Sequence, residues 1–288
     1  MKRILLMILL VVFISGCDGV NQSYEQYRKG TQGIVLSFVE GAPPARVFDT
    51  DKFMIGVNVK NMGAETASNI DFGISGYDTE IIGMSSAKPD VRNLRGKAEL
   101  FNSQEGESNL IVFEQTSTKL MDADTYTPTF MVTACYNYKT IAQAQVCLNG
   151  NPSFNKGVCT VSDVSLSGGQ GGPVGVTNIE VAATPGKTNF KIHIKNFGSG
   201  GPCTSGQPDK LEYVTVDSVQ VHNEPLKDCK PFDDDNKKRL RLIEGEGVLY
   251  CDMNVGSNDV YTTPIIITLS YGYSTTITKS LEIIKAPR

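Results

Sequence analysis

The chain has 288 residues, of which 27 are lysine or arginine and 31 are aspartate or glutamate, so its formal net charge is −4. This balance argues against nucleic acid as a partner, because phosphate binding needs a basic face and the sequence shows none. Apolar residues make up 40% of the chain, which excludes both a disordered chain and a bundle of membrane spans. On length alone we expect two domains of roughly 100–200 residues each.

The first 17 residues have the layout of an export signal. Met1–Arg3 carry two basic side chains, Ile4–Ile14 form an unbroken apolar run, and Ser15-Gly16-Cys17 follow. The run is too short for a comfortable membrane span, so it predicts a secretory signal peptide over residues 1–17.

The end of this apolar run resembles a bacterial-type lipobox, in which an apolar residue and two small residues precede a cysteine. Here the four residues are Ile14-Ser15-Gly16-Cys17, and a similar motif occurs in archaea. The resemblance implies cleavage before Cys17 and a diacylglycerol thioether on its thiol. Such an anchor is stable because each buried methylene contributes about 0.8 kcal/mol. An ordinary cleaved signal and an uncleaved anchor stay open as alternatives, and the polar residues 18–31 are interpreted as a tether.

Residues 32–150 are predicted to form the first β-sandwich. Ile34–Val39 is an apolar run typical of a strand, and Phe53–Val59 alternates apolar and polar side chains with the period of a half-buried strand. Short strands separated by turn residues are typical of an antiparallel sandwich. The further predicted elements are strands at 70–74, 110–113 and 130–136, a turn at 137–139 and a last strand at 140–148.

Residues 151–173 are predicted to be a glycine-rich linker, with Ser167–Pro173 as the most glycine-dense stretch of the chain. A phosphate-binding loop would need a helix with Lys-Ser/Thr after the glycines, whereas Pro173 and strand-like residues follow here. The stretch is therefore interpreted as either a flexible hinge between domains or a glycine-bulged strand crossover.

Residues 174–288 are predicted to form the second β-sandwich. Phe190–Ile194 alternates apolar and polar residues, and the segment from Cys229 to Cys251 has the pattern of a hairpin. A closing hairpin is predicted from residues 265–271 and 275–284, with its turn at Gly272-Tyr273.

A motif that occurs twice relates the two halves. Val59-Lys60-Asn61-Met62-Gly63 recurs as Ile194-Lys195-Asn196-Phe197-Gly198, at an offset of 135 residues. We interpret the motif as a strand end at which Asn and Gly close a turn, and the repeat as a duplicated domain. The same offset relates Asp124, Tyr126, Thr133, Tyr136, Tyr138 and Thr140 to Asp259, Tyr261, Thr268, Tyr271, Tyr273 and Thr275.

The pattern of a strand, Lys-Asn-x-Gly and a further strand occurs twice in tandem. It resembles CARDB-type (cell-adhesion-related) and other immunoglobulin-like modules of prokaryotic surface proteins, including archaeal ones. Tyr126 and Tyr261, each two residues after an aspartate, also resemble the tyrosine corner of such domains. The resemblance implies an all-β fold of two tandem immunoglobulin-like antiparallel sandwiches. Modules of this kind act as spacers, assembly surfaces or presenters of binding loops, and no catalytic residues come with the fold.

Six cysteines remain besides Cys17, and an even number in an exported chain favours three disulfides. Six cysteines allow 15 pairings. Cys229 with Cys251 and Cys147 with Cys159 would close the shortest plausible loops. These two pairs would leave Cys135 with Cys203 as a bridge between the domains.

No constellation of catalytic residues is evident. There is no Gly-x-Ser-x-Gly, and His193 and His222 lack partners for a catalytic triad. Zinc competes with the disulfides as an explanation of the cysteines, but no Cys-x-x-Cys is present and neither histidine has a partner at ligand spacing. We therefore expect a chain that is not an enzyme and needs no cofactor.

Three consecutive aspartates are the candidate metal site. Asp233, Asp234 and Asp235 could offer carboxylate oxygens to calcium. The segment matches no full calcium loop, and three basic residues follow it at 237–239. These neighbours favour a solvated loop over a metal site.

Four tyrosines at the two predicted hairpin tips are candidate binding residues. Exposed there, they could stack on sugars or serve as hot spots for a protein partner. Packing in the core or at a sheet edge is the alternative. The four are Tyr136, Tyr138, Tyr271 and Tyr273.

The sequence thus predicts a membrane-anchored, extracytoplasmic β-sandwich protein that acts as a non-catalytic binding, adhesion or structural module for an unidentified protein or glycan. The alternative is a subunit of an extracellular filament or envelope assembly. We expect any partner to bind the regions that do not repeat, which are residues 42–44, 77–108, the linker and 222–239.

Overall fold

The computed structural model describes residues 27–100, 105–120, 123–153, 158–203 and 212–287. The predicted signal peptide and Cys17 lie outside these residues. Within them every regular element with assigned bounds is a strand, so the predicted all-β class is confirmed. The described residues include no helix with the length and hydropathy to cross a membrane.

The strands are numbered in chain order. They are β1 (Ile34–Phe38), β2 (Arg46–Phe48), β3 (Met54–Asn61), β4 (Ser68–Ser75), β5 (Ile82–Met84), β6 (Ser108–Thr118), β7 (Thr125–Tyr126), β8 (Thr129–Asn149), β9 (Val164–Ser165), β10 (Val174–Thr184), β11 (Lys187–Asn196), β12 (Tyr213–Val221), β13 (Glu224–Pro225), β14 (Cys229–Lys230), β15 (Arg239–Arg241), β16 (Glu246–Asn254), β17 (Val260–Ser280) and β18 (Glu282–Ile284).

The described strands assemble into two outer sheets, one shared sheet and one small sheet. The first half supplies the outer sheet β1-β3-β6-β5, and the second half supplies β14-β16-β11-β10-β9. The shared sheet has the order β13-β12-β17-β8-β4, with β15 also paired to β12. The small sheet β2-β18-β7 places the C-terminal strand between two strands of the first half.

The shared sheet is built on two 21-residue strands, β8 and β17, which pair antiparallel from Thr129↔Ser280 to Asn149↔Val260. The turns predicted at 137–139 and at Gly272-Tyr273 are therefore wrong. Asn and Gly permit a turn there but do not require one, and buried side chains alternate along both strands through these positions. A turn at either place would break a continuous buried face.

A pseudo-twofold axis passes through the middle of this strand pair. Asn137 pairs with Gly272, which is its own equivalent at the 135-residue offset. Antiparallel pairing of equivalent residues is the geometry of an isologous dimer interface, here within one chain. The two repeats are thus related as the two subunits of a symmetric dimer would be.

The two halves are consequently joined through the shared sheet and are not tandem units separated by a hinge. β8 and β17 each extend through both sandwiches, so each sandwich contains half of the shared sheet. The glycine-rich stretch is not a flexible hinge, since Gly171, Gly172 and Pro173 are buried between the halves. It crosses from one sandwich to the other, which agrees with the strand-crossover interpretation.

Three disulfides join Cys135 to Cys203, Cys147 to Cys159 and Cys229 to Cys251. These pairs coincide with those that the loop lengths suggest. The first ties the loop after β11 to the shared sheet, the second ties the segment before β9 to β8, and the third joins β14 to β16. Three disulfides indicate that the protein resides in an oxidising compartment.

Candidate functional site

The four tyrosines form a cluster at the centre of the molecule, and the prediction of exposed binding tips is wrong. Their exposed fractions are 1% for Tyr136, 3% for Tyr138, 7% for Tyr271 and 3% for Tyr273. Neighbouring rings lie 5.9–6.2 Å apart between centroids. The strands continue through these positions and turn the rings inward, so the alternative of core packing describes them. We call them the tyrosine cluster.

The repeated Asn-x-Gly motif is held by the tyrosine cluster. The Oδ1 atom of Asn61 accepts hydrogen bonds from the Gly63 amide at 3.0 Å and from the Tyr138 hydroxyl at 3.4 Å. In the second half, Oδ1 of Asn196 accepts from Gly198 at 3.1 Å and from Tyr273 at 3.2 Å. A side chain at either glycine would collide with the tyrosine hydroxyl. The motif is therefore a turn fixed to the shared sheet, as its interpretation as a strand end predicts.

The same cluster fixes the first strand of each sandwich. The Tyr136 hydroxyl accepts a hydrogen bond from the Ile34 amide at 3.1 Å, and the Tyr271 hydroxyl accepts one from the Val174 amide at 3.3 Å. Burial raises the pKa of both tyrosines well above the usual range. The hydroxyls thus stay protonated at neutral pH and act as structural groups rather than as acids or bases.

The Tyr126 hydroxyl contacts backbone, but in a segment 48 residues away in the chain and not a few residues upstream as in a tyrosine corner. Its hydroxyl accepts a hydrogen bond from the Asp78 amide at 2.7 Å. The ring of Tyr261, its equivalent, lies 5.8 Å from that of His222. Tyr126 therefore binds backbone in the first half, whereas Tyr261 makes a ring contact in the second half.

A pocket of about 610 Å³ lies under the segment Cys229–Ile243, and we call it the insertion pocket. The segment belongs to the region that does not repeat, and its start is fixed to β16 by the Cys229–Cys251 disulfide. The opposite wall comes from β11 and β16. The lining side chains that carry charge or large apolar surface are His193, Lys195, Phe232, Asp233, Arg241, Ile243 and Glu246.

Most charges beside the insertion pocket are already paired. Lys195 Nζ lies 2.7 Å from Glu246 Oε1, and His193 Nε2 lies 2.6 Å from Glu180 Oε1. Lys191, and after it His193, lower the pKa of Glu180 by hydrogen bonds to its carboxylate. No described residue forms an ion pair with Arg241. The pocket therefore combines apolar walls with one cation, Arg241, and one carboxylate, Asp233, neither of which forms an ion pair with another described residue.

The three aspartates do not assemble into a metal site. Asp234 Oδ1 accepts a hydrogen bond from the Lys237 amide at 3.2 Å, so this carboxylate closes a local turn. Among the residues that the structure describes, no group of three or more His, Cys, Asp or Glu side chains could hold a metal ion. Asp233 and Asp235 are exposed, and Asp234 is half-buried.

A second concave surface of about 860 Å³ follows the edge of β1 that pairs with no described strand, and we call it the edge groove. It is lined by residues 31–33, by 34–36 of β1, by 273–276 and 278 of β17, by residues of β4 and β8, and by the loop 198–203. Asp71 is the single charged residue of this lining. Sequence patterns did not reveal the groove, because it is made by a strand edge and not by a motif.

No protein-family model and no curated protein matches the chain. Among solved structures, a crystal structure of the YadV chaperone is similar over 87% of this chain and 100% of that chain, at 14% identity and a TM-score of 0.24. A TM-score this low assigns no fold family. The strands and disulfides by themselves define a disulfide-linked all-β protein built from two pseudo-symmetric sandwiches.

Proposed function

We propose that the protein is an exported, membrane-anchored binding module made of immunoglobulin-like sandwiches, without catalytic activity. The observation that carries the proposal is the insertion pocket, a concave surface on a frame fixed by three disulfides and a shared sheet. Preformed pockets with apolar walls and a few placed polar groups are typical of binding sites. Anchoring is expected through Cys17.

The chemistry of the insertion pocket favours a partner with an apolar part and an anionic group. Phe232 is half-buried and Ile243 is 71% exposed, so both offer apolar contact area. Because the lysine and histidine beside them already face carboxylates, Arg241 supplies the unpaired positive charge. A guanidinium binds carboxylates through two parallel hydrogen bonds. An acidic glycan or an acidic protein segment fits this arrangement.

Mass spectrometry of the native protein tests the anchor. We expect a chain that begins at Cys17 with a diacylglycerol thioether and an acylated amine or a free amine. An intact chain from Met1 with an unmodified Cys17 would exclude the lipoprotein proposal. An unmodified chain that starts after the signal would leave a binding module without a lipid anchor.

Binding is tested with arrays of purified acidic glycans and acidic peptides. We expect the protein to bind a subset of them and Arg241→Glu to lose that binding by at least about tenfold, since a charge-assisted contact is worth about 1.5–3 kcal/mol. The matched control is Lys52→Glu, the same charge change at an exposed residue in the first half. Equal loss in both variants would mean that net charge, and not the pocket, determines binding.

A subunit of an extracellular filament or envelope assembly is the alternative, and the open edge of β1 favours it. Unpaired strand edges can join chains into larger assemblies. Self-assembly that survives removal of residues 1–17 would support this alternative over a monomeric binding module.

A further inference from the structure

The two sandwiches differ at one edge, and the tyrosine cluster identifies the strands that correspond to each other. Ile34 in β1 and Val174 in β10 each donate a backbone hydrogen bond to equivalent tyrosines. β1 pairs with β3 on one side, and β10 pairs with β11, the equivalent of β3, in the same register as far as Val176, after which a bulge adds one residue before Asn178. The opposite edge of β1 therefore corresponds to the opposite edge of β10.

In the second sandwich this edge is closed. The Val176 amide donates to Gln170 Oε1 at 2.9 Å, and the Gln170 side-chain amide donates to the Val176 carbonyl at 3.0 Å. Further along, Ile179 pairs with Val164 of β9. The segment that carries β9 is tied to β8 by the Cys147–Cys159 disulfide. Each of these contacts uses a polar group that would otherwise face solvent.

In the first sandwich the corresponding edge has no partner strand within the part of the chain that the structure describes. The Val39 amide donates a hydrogen bond to the Gly56 carbonyl on the side of β3, whereas the Ile34 amide points to the opposite side. Because the direction of the amides alternates along a strand, the Leu36 and Phe38 amides also point away from β3. By register, Leu36 and Phe38 are the equivalents of Val176 and Ile179. No described residue pairs with β1 along this edge beyond the contacts of Ile34 with Tyr136 and Thr275.

The edge groove adjoins these unpaired backbone groups. Leu36 lines it, and Thr276 and Thr278 of β17 face it from the other side. The Ser274 amide on the same side of β17 bonds to Gly201, so alternate residues further along β17 also direct their backbone groups outward. The groove thus offers backbone donors and acceptors together with apolar and hydroxyl side chains.

We propose that the edge groove binds an extended strand of another protein, running antiparallel to β1 as β9 runs to β10. Addition of a strand to a sheet edge is a recurring mode of peptide recognition, in which main-chain hydrogen bonds give affinity and alternate side chains give specificity. The strand carries apolar residues at alternate positions, because Val164 and Leu166 of the β9 segment are half-buried while Ser165 is exposed. It carries few charges, because Asp71 is the single charged residue of the groove.

A different protein fits the groove better than a second copy of this chain. β17 and the loop 198–203 line the groove opposite β1, so the groove admits one inserted strand and not the sheet edge of a second folded copy, whose described strands are all held in sheets. The groove is also separate from the insertion pocket, since the two share no lining residue. Binding of a strand in the edge groove therefore does not depend on the ligand proposed for the insertion pocket.

The chain supplies a probe for the experiment, a synthetic peptide of its own residues 160–167. The peptide is titrated into the full exported protein, and amide hydrogen exchange is followed by NMR. We expect the exchange of the Leu36 and Phe38 amides to slow by at least about tenfold at saturation. Phe38→Pro removes an outward N–H without touching the β3 ladder and abolishes this effect, whereas Phe38→Leu keeps it.

A change in the peptide makes the test independent of how the protein variants fold. A peptide with Val164→Asp and Leu166→Asp is expected not to bind. Equal binding of both peptides, binding that maps away from β1, or no binding would overturn the proposal.

Self-association lost in Phe38→Pro would make a second copy the occupant. The Leu36 amide could also be protected from exchange in the free protein and lose this protection when the residues before Tyr27 are removed. The occupant would then be the chain's own N-terminal segment. Either result would also overturn the proposal.

Discussion

The two sandwiches keep the same contacts at the centre of the molecule and differ at one edge. Tyr138 and Tyr273 hold equivalent Asn-x-Gly turns in both halves. At the edge, Gln170 and β9 cover β10, whereas β1 is left without an equivalent partner among the described residues. The comparison shows that the duplicated chain retained what joins the halves and diverged where a strand edge meets solvent.

The largest expected effect comes from releasing the strand that closes the second sandwich. Cys147→Ser with Cys159→Ser is expected to destabilise the protein by about 2–4 kcal/mol, as is usual for removal of a disulfide. Hydrogen exchange at Ile179 should accelerate, because β9 loses its tie to β8. Urea unfolding and amide exchange measure the two quantities.

The control for this change is Cys229→Ser with Cys251→Ser, which removes a disulfide elsewhere in the same half. It should lower stability while leaving exchange at Ile179 unchanged. If both double variants accelerate that exchange equally, the disulfide before β9 has no specific role in closing the edge.

The next effect compares the two copies of the Asn-x-Gly turn. Asn61 is fully buried and its side-chain amide donates to the carbonyls of Glu65 and Leu94 at 2.8 and 2.9 Å. Asn196 is half-buried and donates to Gly200 at 3.3 Å. Because buried carbonyls left unpaired cost about 1–3 kcal/mol each, Asn61→Ala should destabilise by about 2–3 kcal/mol and Asn196→Ala by about 1 kcal/mol. Equal values in urea unfolding would contradict the difference in burial.

The tyrosine cluster predicts a loss of stability in alkali. Burial raises the pKa of Tyr138 in the folded protein above its ordinary value of 10.0, so its contribution is complete below pH 10 and declines as the pH rises further. The loss is about 1.4 kcal/mol per pH unit for each such tyrosine, because the unfolded chain ionises first. Tyr138→Phe should flatten the fall in unfolding free energy between pH 10 and 11 by about 1 kcal/mol, because the unfolded tyrosine is already half ionised at pH 10. An unchanged slope would mean that Tyr138 is not enclosed as described.

The smallest effect concerns the outer sheet of the second sandwich. Lys191 and His193 lower the pKa of Glu180 below its ordinary value of 4.5, so this carboxylate stabilises the fold above that pH and loses the contribution as the pH falls. Glu180→Gln should therefore reduce the difference in Tm between pH 6 and pH 3 slightly, since the group is exposed. The residue equivalent to His193 in the first half is Asn58, which has no such carboxylate partner to lose. A larger difference in Tm in the variant would mean that the ionised Glu180 carboxylate destabilises the folded protein.

Much of the architecture is visible in the sequence because it is written in local patterns. Alternating residues such as Phe53–Val59 and Phe190–Ile194 predict strands, and both lie largely within β3 and β11. The 135-residue offset identifies the repeat, and short loops identify two of the disulfide pairs. Each of these features depends on residues close in the chain or on identical spacing.

The shared sheet and the edge groove were not predictable in the same way. Asn137 and Gly272 have the composition of turn residues, and their extended conformation depends on pairing between residues 135 positions apart. The groove depends on a partner strand that one half has and the other lacks. The region of the insertion pocket was expected to be a binding surface because it does not repeat. Which of its charges are paired depends on contacts between different strands, and the sequence does not show these contacts.

The difference between the two edges is tested most directly by amide hydrogen exchange in the unmodified, unliganded protein. The amides to compare are Leu36 and Phe38 in the first sandwich with their equivalents Val176 and Ile179 in the second. We predict fast exchange at the first pair and exchange slower by at least about tenfold at the second, because only the second pair has intramolecular partners among the described residues. Equal protection of the two pairs would show that the first edge is closed and would contradict the account.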